Sequence, residues 1–211
     1  NLFATHLMQK TVKKYGFDGI TITNFSTKKK GKRTKGRIKI AFTGIMTQAQ
    51  ELPLWLSVNE DEEMRRRFEW HLVGSGDDLP KVEAMAAEYE NIRVYGYRSK
   101  EFCDRIIAES DLGLVPLDES RLFEMALPSK LIEYLSFGKP VLANWSKEIE
   151  HLMEEEDFGY FIKRVKKEGL SELLKGIKKQ DLKRKKASLI FDEKFEESMV
   201  CKKVHDMVRE L

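Results

Sequence analysis

The sequence predicts an α/β fold, a Rossmann-like doubly wound parallel sheet of about six strands, and three observations lead there. Six short apolar runs rich in branched residues recur along the chain, and amphipathic stretches of helical period lie between them. The runs show little polar alternation, as strands covered by helices on both faces should. A chain of 211 residues, 41% of them hydrophobic, suffices for one sizeable core with an appendage.

In chain order, residues 1–25 hold an expected helix from Ala4 to Tyr15 and a short "DGITITNF" segment. The stretch "STKKKGKRTKGR" (26–37) is dense in Lys and Arg but has no aromatic residue to stack on a base, so it reads as a solvated linker. The strand runs follow: "RIKIAFTG" (37–44), "FEWHLVGSG" (68–76), "NIRVYGY" (91–97), "SDLGLVPL" (110–117), "KPVLAN" (139–144) and "GYFI" (159–162). Helices are expected over 79–90, with Val82, Met85, Ala86 and Tyr89 on one side, and over 99–110, with Phe102, Cys103, Ile106 and Ile107. Residues 38–180 form the binding domain of this reading. Residues 181–211 form a charged terminal helix, broken near Phe191, whose apolar side at Phe191 and Phe195 needs a partner surface.

Composition narrows the function classes. The 38 basic and 35 acidic residues nearly balance, which argues for a solvated surface rather than a general polyanion binder. Cys103 and Cys201 have neither metal-ligand spacing nor a disulfide pattern, so both read as ordinary thiols of a reducing compartment. No apolar run approaches the roughly 20 residues of a membrane span, and the first residues lack a signal-peptide core. A soluble cytoplasmic protein is the expectation, and because the sequence begins at Asn1 it also reads as a fragment. His71, inside a strand, reads as a packed core histidine; His6, His151 and His205 pair with no nucleophile. The "EEED" run (154–157) reads as a solvated face, and no metal is expected.

In open α/β sheets ligands bind beyond the carboxyl ends of the strands. The loops there carry Thr43-Gly44, Gly74-Ser75-Gly76, Gly96-Tyr97-Arg98 and, after Pro116, Pro128-Ser129-Lys130. "GSGDD" (74–78) alone says little, because the full dinucleotide pattern is absent and two aspartates follow. The stretch "ALPSKLIEYLSFGKPVLA" (126–143) says more. Pro128 is expected in the first helical turn, leaving the N–H groups of Ser129 and Lys130 aimed into the crevice. A lysine at the positive end of a helix dipole is of the unfavourable sign unless an anion sits beside it, so Lys130 points to phosphate. A capping box would need Glu three residues after Ser129, where Ile132 stands. Glu133 is left one turn in, suited to accepting hydrogen bonds from the vicinal hydroxyls of a ribose. Gly138 is the expected C-cap.

"LPSKLIEYLSFGKPVLA" resembles the nucleotide-sugar motif of GT-B glycosyltransferases of family four (glycosyl transferases group 1), particularly the bacterial surface-polysaccharide subgroup. "IAFTGIMTQAQEL", "WHLVGSGDDLPKVEAMAAEYENIRVYGY" and "SDLGLVPL" resemble the first four units of that family's donor domain, so the likeness spans roughly residues 38–162. "THLMQKTVKKYG…ITITNF" is similar to the lead-in from an N-terminal acceptor domain that this chain does not carry. The resemblance implies the donor-binding, C-terminal half of a retaining enzyme using a UDP- or GDP-sugar, with a glycan or lipid-linked acceptor. Neither metal nor cofactor is implied. The terminal helix would pack back toward the N-terminal domain, and the full protein would associate peripherally with the inner face of the membrane.

Position by position, the resemblance assigns Glu133 to the ribose, Ser129 and Lys130 to the diphosphate, and Gly44 and Ile45 to the loop over the phosphates and donor sugar. Tyr97 and Arg98 fall on the loop that meets the base, and Gly74 on the neighbouring glycine loop. The family's sugar-contacting glutamate would fall at Met125, with Glu124 one residue earlier; the arginine and lysine usual after the first glycine loop are absent from "GIMTQAQELPL". By itself the chain is expected to bind nucleotide without transferring sugar. Three other readings stay open: a non-catalytic nucleotide- or partner-binding module of this fold, a nucleic-acid binder using residues 28–37, and a nucleotide-sugar epimerase of the same architecture.

Overall fold

The computed structural model describes residues 2–3, 5–16, 20–32, 34–121 and 123–209. The lead-in forms a small βαβ unit. Strands β1 (Leu2–Phe3) and β2 (Ile20–Thr21) pair in parallel around helix α1 (His6–Lys13), which Thr5 caps by accepting from the Met8 N–H. The helix starts two residues later than expected and ends two earlier; Ala4 lies outside the described residues.

Six parallel strands make the main sheet: β3 (Ile38–Thr43), β4 (Phe68–Val73), β5 (Ile92–Val94), β6 (Leu112–Val115), β7 (Val141–Asn144) and β8 (Gly159–Ile162), in the order β5-β4-β3-β6-β7-β8. Each lies within its expected run. The order reverses between β3 and β6, the topological switch point at which doubly wound sheets open a crevice. One face, built on Ile40, Phe42, Trp70, Leu72 and Leu114, is covered by α2 (Leu52–Leu56), α3 (Glu62–Arg67), α4 (Leu79–Glu88) and α8 (Lys167–Gly176). The other carries Ala41, Val73, Val115, Val141 and Ala143 beneath α5 (Lys100–Ala108), α6 (Ser129–Ser136), α7 (Lys147–Glu155) and α9 (Ala187–Lys194). Helices α4 and α5 match the two sequence-derived ones. The short α2 and α3 had no clear period in the sequence.

The terminal segment departs from its reading. Its break falls at Phe195–Glu196, between α9 and α10 (Glu197–Arg209), four residues beyond Phe191. Phe191 and Phe195 are fully buried in the same cluster as Leu131, Leu135 and Ile149, so their apolar side is covered within this chain. The fold folds α9 back over α6, a long-range contact that helical period alone does not reveal.

The basic stretch is not a solvated linker but a strap across the C-terminal ends of α5 and α6. The Lys29 N–H donates to Ser136 O at 2.8 Å and the Lys32 N–H to Ala108 O at 2.8 Å. Lys28 pairs with Asp192 (2.5 Å), Lys29 with Asp104 (2.8 Å) and Lys32 with Glu109 (2.8 Å). Beneath it the buried Lys139 donates to Lys32 O (2.9 Å) and Ser110 O (2.6 Å), and burial lowers its pKa to about 8. Lys28, Lys29 and Lys32 thus each have a carboxylate partner on or beside the helices that the strap crosses.

Candidate functional site

At the carboxyl edge of the sheet, the loops after β3, β4 and β5 are sewn together by backbone hydrogen bonds. Gly44 N–H donates to Val73 O, Met46 N–H to Ser75 O, Gly74 N–H to Gly96 O and Asp78 N–H to Met46 O, at 2.9–3.0 Å. Gly74, at φ +151°, packs so closely that an added Cβ would lie 1.7 Å from Gly44 O. Its glycine serves loop-on-loop packing, which brings the two glycine loops to one rim. Beyond them Ile45 and Tyr97 project as two of the most exposed large apolar side chains of the molecule, 68% and 78% accessible. Arg98 is exposed; its guanidinium donates back to Tyr97 O at 2.9 Å and lies 5.8 Å from the Phe102 ring.

Helix α6 enters this rim from below. Pro128 is its N-cap (φ −63°, ψ 140°) rather than its first helical residue, and no side chain caps the end. Ser129 and Lys130 therefore open the helix, where backbone N–H groups have no intrahelical acceptor. The Lys130 ammonium lies 4.2 Å from the centre of the Phe42 ring and beside Gly44, where an added Cβ would be 3.2 Å from Nζ. Burial lowers its pKa to about 8, with Glu133 opposing the shift. Among the described residues Lys130 forms no ion pair. The helix closes at Gly138, φ +66°, with its N–H on Leu135 O and that of Lys139 on Tyr134 O, the pairing of a Schellman end.

Two side chains of α6 set its height against the sheet. Tyr134, fully buried, accepts the Thr43 N–H at its hydroxyl (3.0 Å). Its ring fills the space left by Gly113, where a Cβ would approach within 2.2 Å. Burial raises the Tyr134 pKa, keeping the hydroxyl neutral. Glu133, one residue earlier, meets Lys100 Nζ on α5 at 2.5 Å rather than pairing with Lys130. Local pattern singles out neither Tyr134 nor Lys100. The only available signal was an aromatic residue within a run of aliphatics opposite a strand glycine.

The loop from 117 to 128 is held by the turn that follows β7. The Asn144 carboxamide exchanges hydrogen bonds with both backbone groups of Leu117 (2.8 and 2.6 Å), Trp145 Nε1 donates to Ser120 O (2.7 Å) and Ser146 Oγ donates to Ala126 O (2.5 Å). Trp145 sits at φ +62°, a left-handed conformation uncommon for a bulky residue. Within this loop the Glu124 carboxylate pairs with Lys147 (2.5 Å), whose hydrogen bond lowers its pKa. Met125 turns to α1, its sulfur 3.5 Å from Thr11 Oγ1. Where the first glycine loop lacks Arg and Lys, it carries Glu51, whose pKa is raised by burial and then by Asp118 and Glu119.

Outside the crevice, His71 is buried in β4, with Nδ1 2.9 Å from the Tyr95 hydroxyl and Nε2 3.2 Å from Glu69; burial lowers its pKa. Cys103 is partly buried and Cys201 exposed, both as free thiols. Among the described residues no group of His, Cys, Asp and Glu is arranged to hold a metal ion, and no helix is long and apolar enough to cross a membrane.

A family model described as glycosyl transferases group 1 matches residues 37–178. No curated protein sequence matches the chain. Among solved structures, sucrose-phosphate synthase from Thermosynechococcus elongatus superposes with a TM-score of 0.77 at 11% identity, covering 99% of this chain and 57% of that one. A variant of S. aureus TarM in complex with fondaparinux, alpha-GlcNAc-glycerol and UDP gives 0.72 at 17% identity, over 97% of this chain and 43% of that one. HepE from Anabaena in complex with UDP-glucose gives 0.67 at 13% identity, over 100% and 63%. At such identities the likeness is one of fold, and the chain spans from about two fifths to less than two thirds of their lengths.

Proposed function

The chain belongs to the glycosyl transferases of group 1, and on that premise we propose that it is the donor-binding half of a retaining glycosyltransferase that takes a UDP- or GDP-sugar. In this reading the diphosphate sits at the head of α6, on the N–H groups of Ser129 and Lys130 and under the Lys130 ammonium. Glu133 accepts from the ribose hydroxyls, Gly44 and Ile45 close over the phosphates and sugar, and Tyr97 and Arg98 border the base. Gly74 keeps the Gly44 loop at the height this requires.

The observation that carries the proposal is Lys130. A lysine at an uncapped helix start, lying against an aromatic ring beside a glycine loop with its pKa lowered, is unfavourable in the absence of an anion. A nucleoside diphosphate supplies that charge. The solved relatives crystallised with UDP and UDP-glucose support the ligand class. A two-stranded parallel sheet is rarely self-sufficient, so the β1–α1–β2 unit supports assigning residues 1–25 to the edge of an N-terminal acceptor domain. Transfer to a glycan or lipid-linked acceptor, in bacterial surface-polysaccharide synthesis at the cytoplasmic face of the membrane, completes the proposal; no metal or cofactor enters it.

A second reading, a nucleotide-binding module without transferase activity, is favoured by Met125 in the place of the sugar-contacting glutamate and by Glu124 being held by Lys147. The nucleic-acid reading is disfavoured by the ion pairs of Lys28, Lys29 and Lys32. Calorimetry with UDP and GDP tests the site. Charge-assisted hydrogen bonds are worth about 1.5–3 kcal/mol, so Glu133→Ala should weaken binding roughly ten- to a hundredfold. An unchanged dissociation constant removes Glu133 from the site. Detectable sugar transfer by the 211-residue chain would overturn its assignment as a half-enzyme.

A further inference from the structure

We infer that Lys100 is a positioning residue for Glu133, holding its carboxylate in the orientation that receives the ribose hydroxyls, and that Asp104 and Lys29 hold Lys100 in turn. The inference rests on the proposed ribose role of Glu133. Four charged groups of alternating sign run from the strap to the crevice. Lys29 Nζ meets Asp104 Oδ2 at 2.8 Å, Lys100 bonds Asp104 Oδ1 one helical turn along α5, and Lys100 Nζ reaches across to Glu133 Oε1 at 2.5 Å. Lys29 is itself anchored, its N–H on Ser136 O and its ammonium 5.1 Å from the centre of the Phe137 ring.

An ordinary surface ion pair joins two mobile side chains and contributes little. This arrangement differs in geometry. Lys100 is shared between carboxylates on two different helices, and Asp104 between two ammonium groups, so each interior member has a partner on either side. Burial opposes ionisation of Asp104, yet the hydrogen bonds from Lys100 and Lys29 hold its pKa below the ordinary range. Glu133 is the end of the chain, with its side chain largely covered. It borders a cavity of about 210 Å³, shared with Ser129 of the helix start and with Phe25 and Lys29 of the segment leading into the strap.

Lys100 engages Oε1, which fixes the side-chain rotamer and leaves Oε2 and the second lone pair of Oε1 for a ligand. A carboxylate that must accept two hydroxyls in one geometry gains affinity when its orientation is set before binding. A group that orients a ligand-binding carboxylate acts as outer-shell partners do for metal ligands.

The test compares UDP and GDP with their 2′,3′-dideoxy analogues, by calorimetry on the full chain. Lys100→Met should weaken the ribonucleotides about five- to tenfold and leave the dideoxy analogues within about twofold, while Lys100→Arg, which keeps charge and reach, restores binding. In a Glu133→Gln background, Lys100→Met should add nothing. Equal losses for both ligand types would mean that Lys100 touches the phosphates or base, or supports the fold, and would overturn the inference. So would no loss for either. If Glu133→Gln itself fails to separate ribo- from dideoxynucleotide, the ribose assignment falls and this inference with it. If Glu133→Gln separates them and Lys100→Met does not, only the inference falls. Lys100 is exposed, so the variant is expected to fold; thermal unfolding midpoints of the variants check this.

Discussion

Two lysines stand at the heads of neighbouring helices on the same rim, and the structure treats them in opposite ways. Lys100, at the start of α5, is exposed and engages carboxylates on two helices; burial works against its charge, but the hydrogen bonds to Asp104 and Glu133 outweigh it and raise its pKa. Lys130, at the start of α6, is partly buried against Phe42 and Gly44, with Glu133 acting on it only from a distance and its pKa lowered to about 8. Both oppose their helix dipole. A cation at a helix start thus has two physical explanations, a protein counter-ion or a ligand, and only the surroundings distinguish them. Lys100 has its answer in the chain; Lys130 is assigned to an anionic ligand.

The largest disturbance would come from removing the platform under Lys130. Gly74→Val would drive a side chain into Gly44 O and impose a backbone conformation disfavoured for branched residues. The combined strain should cost about 3 kcal/mol or more of stability in urea unfolding. A loss under about 1 kcal/mol would show that the loops can separate cheaply, and Lys130 would no longer be held against a fixed wall.

Lys130→Met comes next and sharpens the contrast. Diphosphate affinity should fall by about 2 kcal/mol, roughly thirtyfold, with the free nucleoside far less affected. Stability should stay level or rise, because an ammonium with no ion pair among the described residues is exchanged for an apolar side chain of similar length. Equal losses for nucleoside and diphosphate would place Lys130 outside the phosphate site.

The smallest effect is one of pH. Lys130 titrates near 8 in the folded chain against 10.5 ordinarily, so the unfolded chain keeps its proton to higher pH. Its penalty on stability is present in full below pH 8 and is lost as pH rises toward 10.5. A bound diphosphate favours the ammonium, so affinity should decline as pH climbs through about 8, by up to about tenfold per unit at the steepest. Lys130→Met should remove that slope. A wild-type slope that survives the substitution would assign it to another group.

Much of this fold was legible along the chain. All six strands, α4, α5, the Gly138 end of α6 and the presence of Lys130 and Glu133 at a helix start followed from local pattern, because burial on two faces, helical period and cap chemistry are written in neighbouring residues. The misreadings share a cause. By local pattern Phe191 and Phe195 need a partner domain and residues 26–37 form a solvated linker, whereas in the fold each is satisfied by residues distant along the chain. The Asn144–Leu117 clamp and the Tyr134–Thr43 bond lie in the same category.

Element types, their order and the loops that gather at the carboxyl edge are written in local pattern, since they follow from periodicity and from the connection rules of parallel sheets. Which charges meet is settled by packing. That Glu133 faces Lys100 while Lys130 lies over Phe42 depends on the height at which α6 docks, and that height is set by a tyrosine ring filling the space over Gly113. Ion pairs form over a few ångströms, and a distance of that size is fixed by packing in three dimensions, not by spacing along the chain.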